Sequence, residues 1–193
     1  MKTYCKHMKV LAYFLAFAVI LLGCSSDDEG AVLPPPQDFL VSINSGGPAF
    51  SYQDTDWEAD RDNSATDSFE NIIAIEGTEN DALYQTEVFD RNGFTYEIPV
   101  PGTGPWQVDL HFAEIFHGVE NANGVGSRIF DVELEEGQAQ LVNYDIIAEA
   151  GAPATAIVAT FTGINVQDGN LTISFTSVVD AAKVSGVEIS GTF

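Results

Sequence analysis

Turn-forming clusters interrupt this chain repeatedly, and the segments between them alternate or run apolar like short strands rather than helices. The breaks are Asp90-Arg91-Asn92-Gly93, Pro101-Gly102, Gly124-Val125-Gly126, Glu136-Gly137, Gly163 and Asp168-Gly169-Asn170. Between them residues 82–89, 94–100, 106–116, 128–135, 139–144, 156–161, 171–178 and 184–189 read as strands, after an earlier one at 39–44. The clearest is at 106–112, where Trp106, Val108, Leu110 and Phe112 alternate with Gln107, Asp109 and His111, the period of a strand buried on one face. Only 145–150 (DIIAEA) reads as a helical turn, with Gly151 to end it. Eight or more short strands without helices between them predict an all-β chain: a single-domain antiparallel β-sandwich of the jelly-roll kind.

The strand at 106–116 delivers Glu114, Phe116 and His117 to the rim of a sheet, a good start for a binding site. Glu114 has the parity of the core residues, where a carboxylate is costly unless paired. Arg128 shares the inward parity of Phe130 and Val132, so a buried Glu114–Arg128 ion pair bracing the rim is expected. Residues 52–70 are polar and read as one long loop, rich in aspartate. Asp60, Asp62 and Ser64 have the alternate spacing of oxygen ligands, but the loop lacks the glycine and terminal glutamate of an EF-hand. A solvated acidic face is the reading there, with structural calcium as the alternative, and no other cofactor is expected.

Lys2, Lys6 and Lys9 precede an apolar run over 10–22 and then Gly23-Cys24-Ser25. A positive head, a short apolar core and small residues make a secretory signal over 1–23. At 13 residues the run is below the ~18–20 that span a bilayer. LLGC resembles the lipobox of bacterial lipoproteins, which assigns Cys24 as the lipid attachment residue. The acidic SSDDEG after it resembles an export signal of surface lipoproteins, so the expected location is the outer membrane, lipid-anchored and facing outward. Residues 24–37, acidic and then Pro34-Pro35-Pro36, read as a tether to a domain over 38–193. With Cys5 in the removed segment and Cys24 lipidated, cysteine chemistry is excluded. Without the signal, 29 acidic residues face only Arg61, Arg91, Arg128 and Lys183. Such a surface repels nucleic acid and polyanionic glycans and leaves neutral ligands or cations.

Six blocks in order carry a family resemblance: INSGGP (43–48), ALYQTEVF (82–89), FTYEIPVP (94–101), VDLHFAEIF (108–116), RIFDVELEEG (128–137) and VSGVEI (184–189). Together they resemble malectin and the malectin-like domains. The resemblance implies a galactose-binding-like β-sandwich without catalytic activity that binds neutral, glucose-type carbohydrate. In malectin aromatic residues and one aspartate hold the sugar. Carried over block by block, these fall on Phe69, Phe89, Phe116, His117 and Asp180. Three phenylalanines and a histidine stand where malectin has tyrosines and a phenylalanine, so the phenolic donors are missing and an altered sugar preference is expected. Aromatic rings can stack on the apolar faces of sugars while Asp180 accepts from hydroxyls.

A glycosidase reading would pair Glu114 with Asp180. It is the weaker one, because Glu114 is already assigned to the core pair and no nucleophile elbow, phosphate loop or histidine-rich metal motif is present. The stronger rival is a protein-interaction module that docks on a partner such as a glycoside hydrolase or transporter.

Overall fold

Alternation becomes pairing: each apolar face finds a second sheet to bury against. A computed structural model describes residues 35–193. The signal segment 1–23, Cys24 and most of the 24–37 tether lie outside the described residues. In chain order the elements are β1 (Asp38–Asn44), β2 (Phe50–Tyr52), β3 (Thr55–Ala59), β4 (Asp67–Glu70), α1 (Asp81–Tyr84), β5 (Thr86–Asp90), β6 (Phe94–Pro99), β7 (Trp106–Phe112), β8 (Ile129–Leu134), β9 (Ala139–Tyr144), α2 (Ile146–Ala150), β10 (Ile157–Ile164), β11 (Asn170–Val179), β12 (Ala182–Val184) and β13 (Gly186–Thr192). Six strands pair in the order β10-β7-β13-β1-β3-β2, four in the order β6-β11-β8-β9, and β12, β5 and β4 make a small third sheet.

Trp106, Val108, Leu110 and Phe112 of β7 share one continuous core with Tyr96 and Ile98 of β6, Phe130 and Val132 of β8 and Ile173 of β11. Phe112 and Phe130 meet across the two sheets with ring centroids 5.8 Å apart. The fold is therefore a β-sandwich, all-β and largely antiparallel, as the alternation predicts. A smaller core of Trp57, Leu83, Tyr84, Ala113 and Ile115 covers part of the other face of the six-stranded sheet, where His111 points. Gly186 permits that packing, since a Cβ there would come within 2.7 Å of Leu83 Cδ1. Gly46, at φ 73°, lets the turn after β1 lie against β5, where a Cβ would collide with the Glu87 carbonyl.

Several local expectations are corrected by tertiary contacts. Residues 52–70 are not one loop but contain the end of β2, all of β3 and all of β4. Trp57 buries against Phe50 with rings nearly parallel, and Glu58 and Ala59 pair in parallel with Ile43 and Asn44 of β1. Residues 82–89 begin as the turn of α1, which buries Leu83 and Tyr84, and only then become β5. The strand expected over 106–116 stops at Phe112, because Glu114 folds back on its own chain. The block at 184–189 is two strands parted at Ser185, whose N–H donates to the His111 carbonyl. The helical turn at 145–150 forms as expected. Asp145 caps it by accepting from the Ala148 N–H at 3.1 Å, and Gly151 ends it at φ 85°.

Candidate binding site

One face of the small third sheet carries an unusual mixture of rings and charges. Phe69 on β4 lies directly opposite Glu87 on β5, and Phe89 lies opposite Lys183 on β12. Directly opposed residues share a face, as do residues two apart in a strand, so all four point the same way. Val88 and Val184 point oppositely, into the main core.

The charges on this face are buried in pairs. The Lys183 ammonium donates to Glu87 and to the Ala113 carbonyl, and neither Lys183 nor Glu87 is appreciably exposed. Beside them Arg128 Nε donates to Glu114 Oε2 at 2.6 Å, and its Nη1 donates to the Ala181 carbonyl at 2.8 Å. Burial pushes the Glu114 carboxyl up, but Lys183, Arg128 and the Phe116 N–H outweigh it and hold it at about 2. Burial dominates at Glu87 and raises its carboxyl despite Lys183 and Arg128. The expected Glu114–Arg128 pair is thus present, with a second pair beside it that local periodicity did not indicate. Its sequence signal is slight: Lys183 is one of four basic residues beyond residue 24 and sits in the apolar stretch AAKV.

Glu114 also builds the turn that follows β7. Its Oε1 accepts the N–H groups of Phe116 and His117, each at 3.0 Å. The turn thrusts Phe116 outward, 38% exposed, and edge-on to Phe69 at 5.6 Å. Phe69, Phe89 and Phe116 then wall a hollow of about 120 Å³, with Glu87, Arg128 and Ala181 beneath and Arg91 and Asp180 beside them. That is well under the ~300–1,000 Å³ of pockets that enclose a whole ligand. The hollow can receive the edge of a ring and leaves the rest outside.

Asp180 sits in the turn between β11 and β12 at φ 59°, a left-handed conformation uncommon for a residue with a side chain. Its Oδ2 is 2.9 Å from His117 Nε2, and its Oδ1 is 3.4 Å from a guanidinium nitrogen of the exposed Arg91. His117 Nδ1 meets the side-chain amides of Asn123 and Asn121 at 3.2 and 3.4 Å. Both ring nitrogens are thereby engaged, and the ring is buried. Amides facing Nδ1 make it the acceptor, which leaves the proton on Nε2 to donate to Asp180.

Of the five residues singled out in the sequence, Phe69, Phe89, Phe116 and Asp180 line the hollow and His117 does not. His117 stands behind Asp180 and orients it. Sequence reasoning missed Arg91, Glu87 and Ala181 as lining residues and placed Arg128 only in the core. Arg91 lies in a turn cluster that reads as connection only. In the acidic stretch, Asp60 accepts from Asn63 and Tyr96, Asp62 pairs with Arg61, and Ser64 Oγ accepts from the Thr95 N–H. Those oxygens are turned to neighbours in the protein rather than toward one point, and among the described residues no cluster of three or more His, Cys, Asp or Glu converges as metal ligands.

The malectin domain family model matches residues 39–189. The chain belongs to the malectin domain family. Among curated proteins, a probable leucine-rich repeat receptor-like serine/threonine-protein kinase of Arabidopsis thaliana is 29% identical over 118 residues, 59% of this chain and 11% of that protein. Among solved structures, the extracellular domain of ANXUR1 from Arabidopsis thaliana shares the fold with a TM-score of 0.66 at 14% identity, over 80% of this chain and 49% of that one. A β-glucuronidase of Bacteroides uniformis gives a TM-score of 0.65 at 16% identity, over 80% of this chain and 18% of its own. The malectin domain described here therefore spans only part of each of these larger proteins. In this malectin domain the block ALYQTEVF supplies Glu87 and Phe89, VDLHFAEIF supplies Glu114 and Phe116, and RIFDVELEEG supplies Arg128, so three of the six blocks meet at the hollow.

Proposed function

We propose that this malectin domain binds neutral, glucose-type carbohydrate in the aromatic hollow and does so without catalysis. Family membership leaves carbohydrate binding and extracellular protein interaction as the two functions to weigh. The observation that carries the first is the convergence of three phenylalanine rings and one oriented carboxylate on a single small hollow. Rings offer a face for sugar C–H groups, and Asp180 accepts from hydroxyls that need a fixed acceptor. Glu114 is ill placed for acid–base chemistry, because both of its oxygens are already hydrogen-bonded to Arg128 and to backbone N–H groups. The test is a glycan array read with the purified protein beside its Phe116→Ala and Asp180→Ala variants. Binding to neutral glucans that both substitutions abolish is expected. Silence on every glycan from a folded protein would sink the reading.

The second reading is a protein interface, favoured by the exposed Phe116 and by a structural neighbour described as plant peptide RALF23 in complex with FER and LLG2. That neighbour is 17% identical to this chain. Free sugar would compete for the hollow in the first case and leave a protein complex intact in the second. The domain would work at the cell surface, held by lipid on Cys24 and supplying glycan to a hydrolase or transporter. Cys24→Ser should move the protein from the membrane fraction to the soluble one, and unchanged fractionation would remove the anchor from the proposal.

A further inference from the structure

The polar floor of the hollow has two atoms left over from its ion pairs. Arg128 uses Nε on Glu114 and Nη1 on the Ala181 carbonyl, and among the described residues its Nη2 has no hydrogen-bond partner. Glu87 receives Lys183 through Oε2, and its Oε1 has no partner there either. Neither atom is sealed from solvent: among the described residues the buried side-chain atoms without partners are Asn80 Oδ1, His111 Nε2 and Ser185 Oγ. Both residues are more than nine-tenths buried, and both line the hollow. The unpartnered donor and the unpartnered acceptor therefore open into it.

We propose that Arg128 Nη2 and Glu87 Oε1 form a donor–acceptor pair that selects two adjacent hydroxyls on one edge of an uncharged sugar ring, and that this floor, more than the rim at Asp180, sets which sugar is bound. The proposal rests on the carbohydrate reading above. Each hydroxyl both donates and accepts, so neighbouring hydroxyls match a guanidinium N–H beside a carboxylate oxygen. The small volume admits one edge only, while the phenylalanine walls take the apolar face. Charge supports an uncharged guest. Arg91, Arg128 and Lys183 are balanced around the hollow by Glu87, Glu114 and Asp180, whereas the rest of the surface is strongly acidic. A carboxylate entering the floor would gain Arg128 but also meet Glu87, which lines the same hollow. The two ion pairs also fix both groups before binding, since each is held by a second charge and cannot turn away.

The test uses the intact protein, so that it does not depend on replacing a buried charge. Maltose, cellobiose and lactose are titrated and followed by amide chemical shifts in the hollow. The tightest binder is then compared with its monodeoxy derivatives at each hydroxyl of the bound ring and with its uronic acid. Loss of either of two neighbouring hydroxyls should weaken binding at least about tenfold, against under about threefold at the others, and the uronic acid should bind more weakly than the neutral sugar. Even losses around the ring, or tighter binding of the uronic acid, would overturn the floor assignment and leave the carbohydrate reading standing. No shift with any of the three disaccharides would overturn the floor assignment, and the carbohydrate reading would fall with it only if the glycan array is silent as well. Glu87→Gln, if its amide spectrum shows a native fold, should lose the preference at one of the two hydroxyls and keep it at the other.

Discussion

Asp180 keeps its backbone at φ 59° while its carboxylate is gripped by His117, a combination that ties local strain to a functional group. Asparagine tolerates the same backbone but carries no charge, so Asp180→Asn isolates the electrostatic part. It should weaken glycan binding about tenfold, about 1.4 kcal/mol, while unfolding stability in urea falls by no more than about 1 kcal/mol. His111 poses a different residue-scale problem. It lies between Trp57 and Tyr84, its Nδ1 is 2.9 Å from the Tyr84 hydroxyl, and its Nε2 is buried without a partner. Burial drives its pKa from 6.5 down to about 4, against a smaller pull from Asp109. A histidine lowered on folding is protonated first in the unfolded chain, so stability falls as pH drops from 6.5 towards 4. The full loss is about 3 kcal/mol, and His111→Gln should flatten that slope in urea melts taken between pH 7 and pH 4.5.

The element that matters most is the turn from Ala113 to His117. A strand that simply continued would have put Phe116 on the core face of Phe112. Instead the Glu114 carboxylate gathers two backbone N–H groups and stops the ladder, which frees Phe116 for the hollow. Glu114→Gln leaves Arg128 buried without its counter-charge and should cost about 3–5 kcal/mol in chemical denaturation. Unchanged stability would refute the bracing role. The acid dependence has a defined sign. Glu114 is lowered on folding, so its contribution is present above pH 4.5 and is lost as pH falls towards about 2. Glu87 is raised on folding, so its contribution runs the other way and is lost as pH rises. The acid limb of the wild-type stability curve should therefore be shallower than Glu114 alone would make it, and Glu87→Gln should steepen it.

Across the whole molecule the formal charge is −22. Of the four basic residues beyond residue 24, Arg91 and Arg128 line the hollow and Lys183 is buried, which leaves the remaining acidic surface to repel itself. Raising NaCl from 20 to 500 mM should lift the melting temperature by a few degrees, because screening relaxes surface repulsion more than it weakens buried pairs. A falling melting temperature would show that exposed attraction dominates instead. At this scale the division between local and long-range information is clear. The period-two runs of β6, β7, β8 and β11 are legible in the chain because one face of each is buried and a turn cluster bounds it. The family resemblance likewise points to Phe69, Phe89, Phe116, His117 and Asp180, of which all but His117 line the hollow. What the chain could not announce is anything that depends on which strands become neighbours. The short strands of 52–70 exist because Trp57 packs on Phe50 and β3 pairs in parallel with β1. Glu87 and Lys183 look solvated in their own segments and are buried because β5 and β12 are adjacent. Strand alternation is a property of a few consecutive residues, whereas the hollow is made where β4, β5, the turn after β7 and the turn before β12 meet. Only packing brings those segments together, and only packing turns a scattered set of charges into a paired floor.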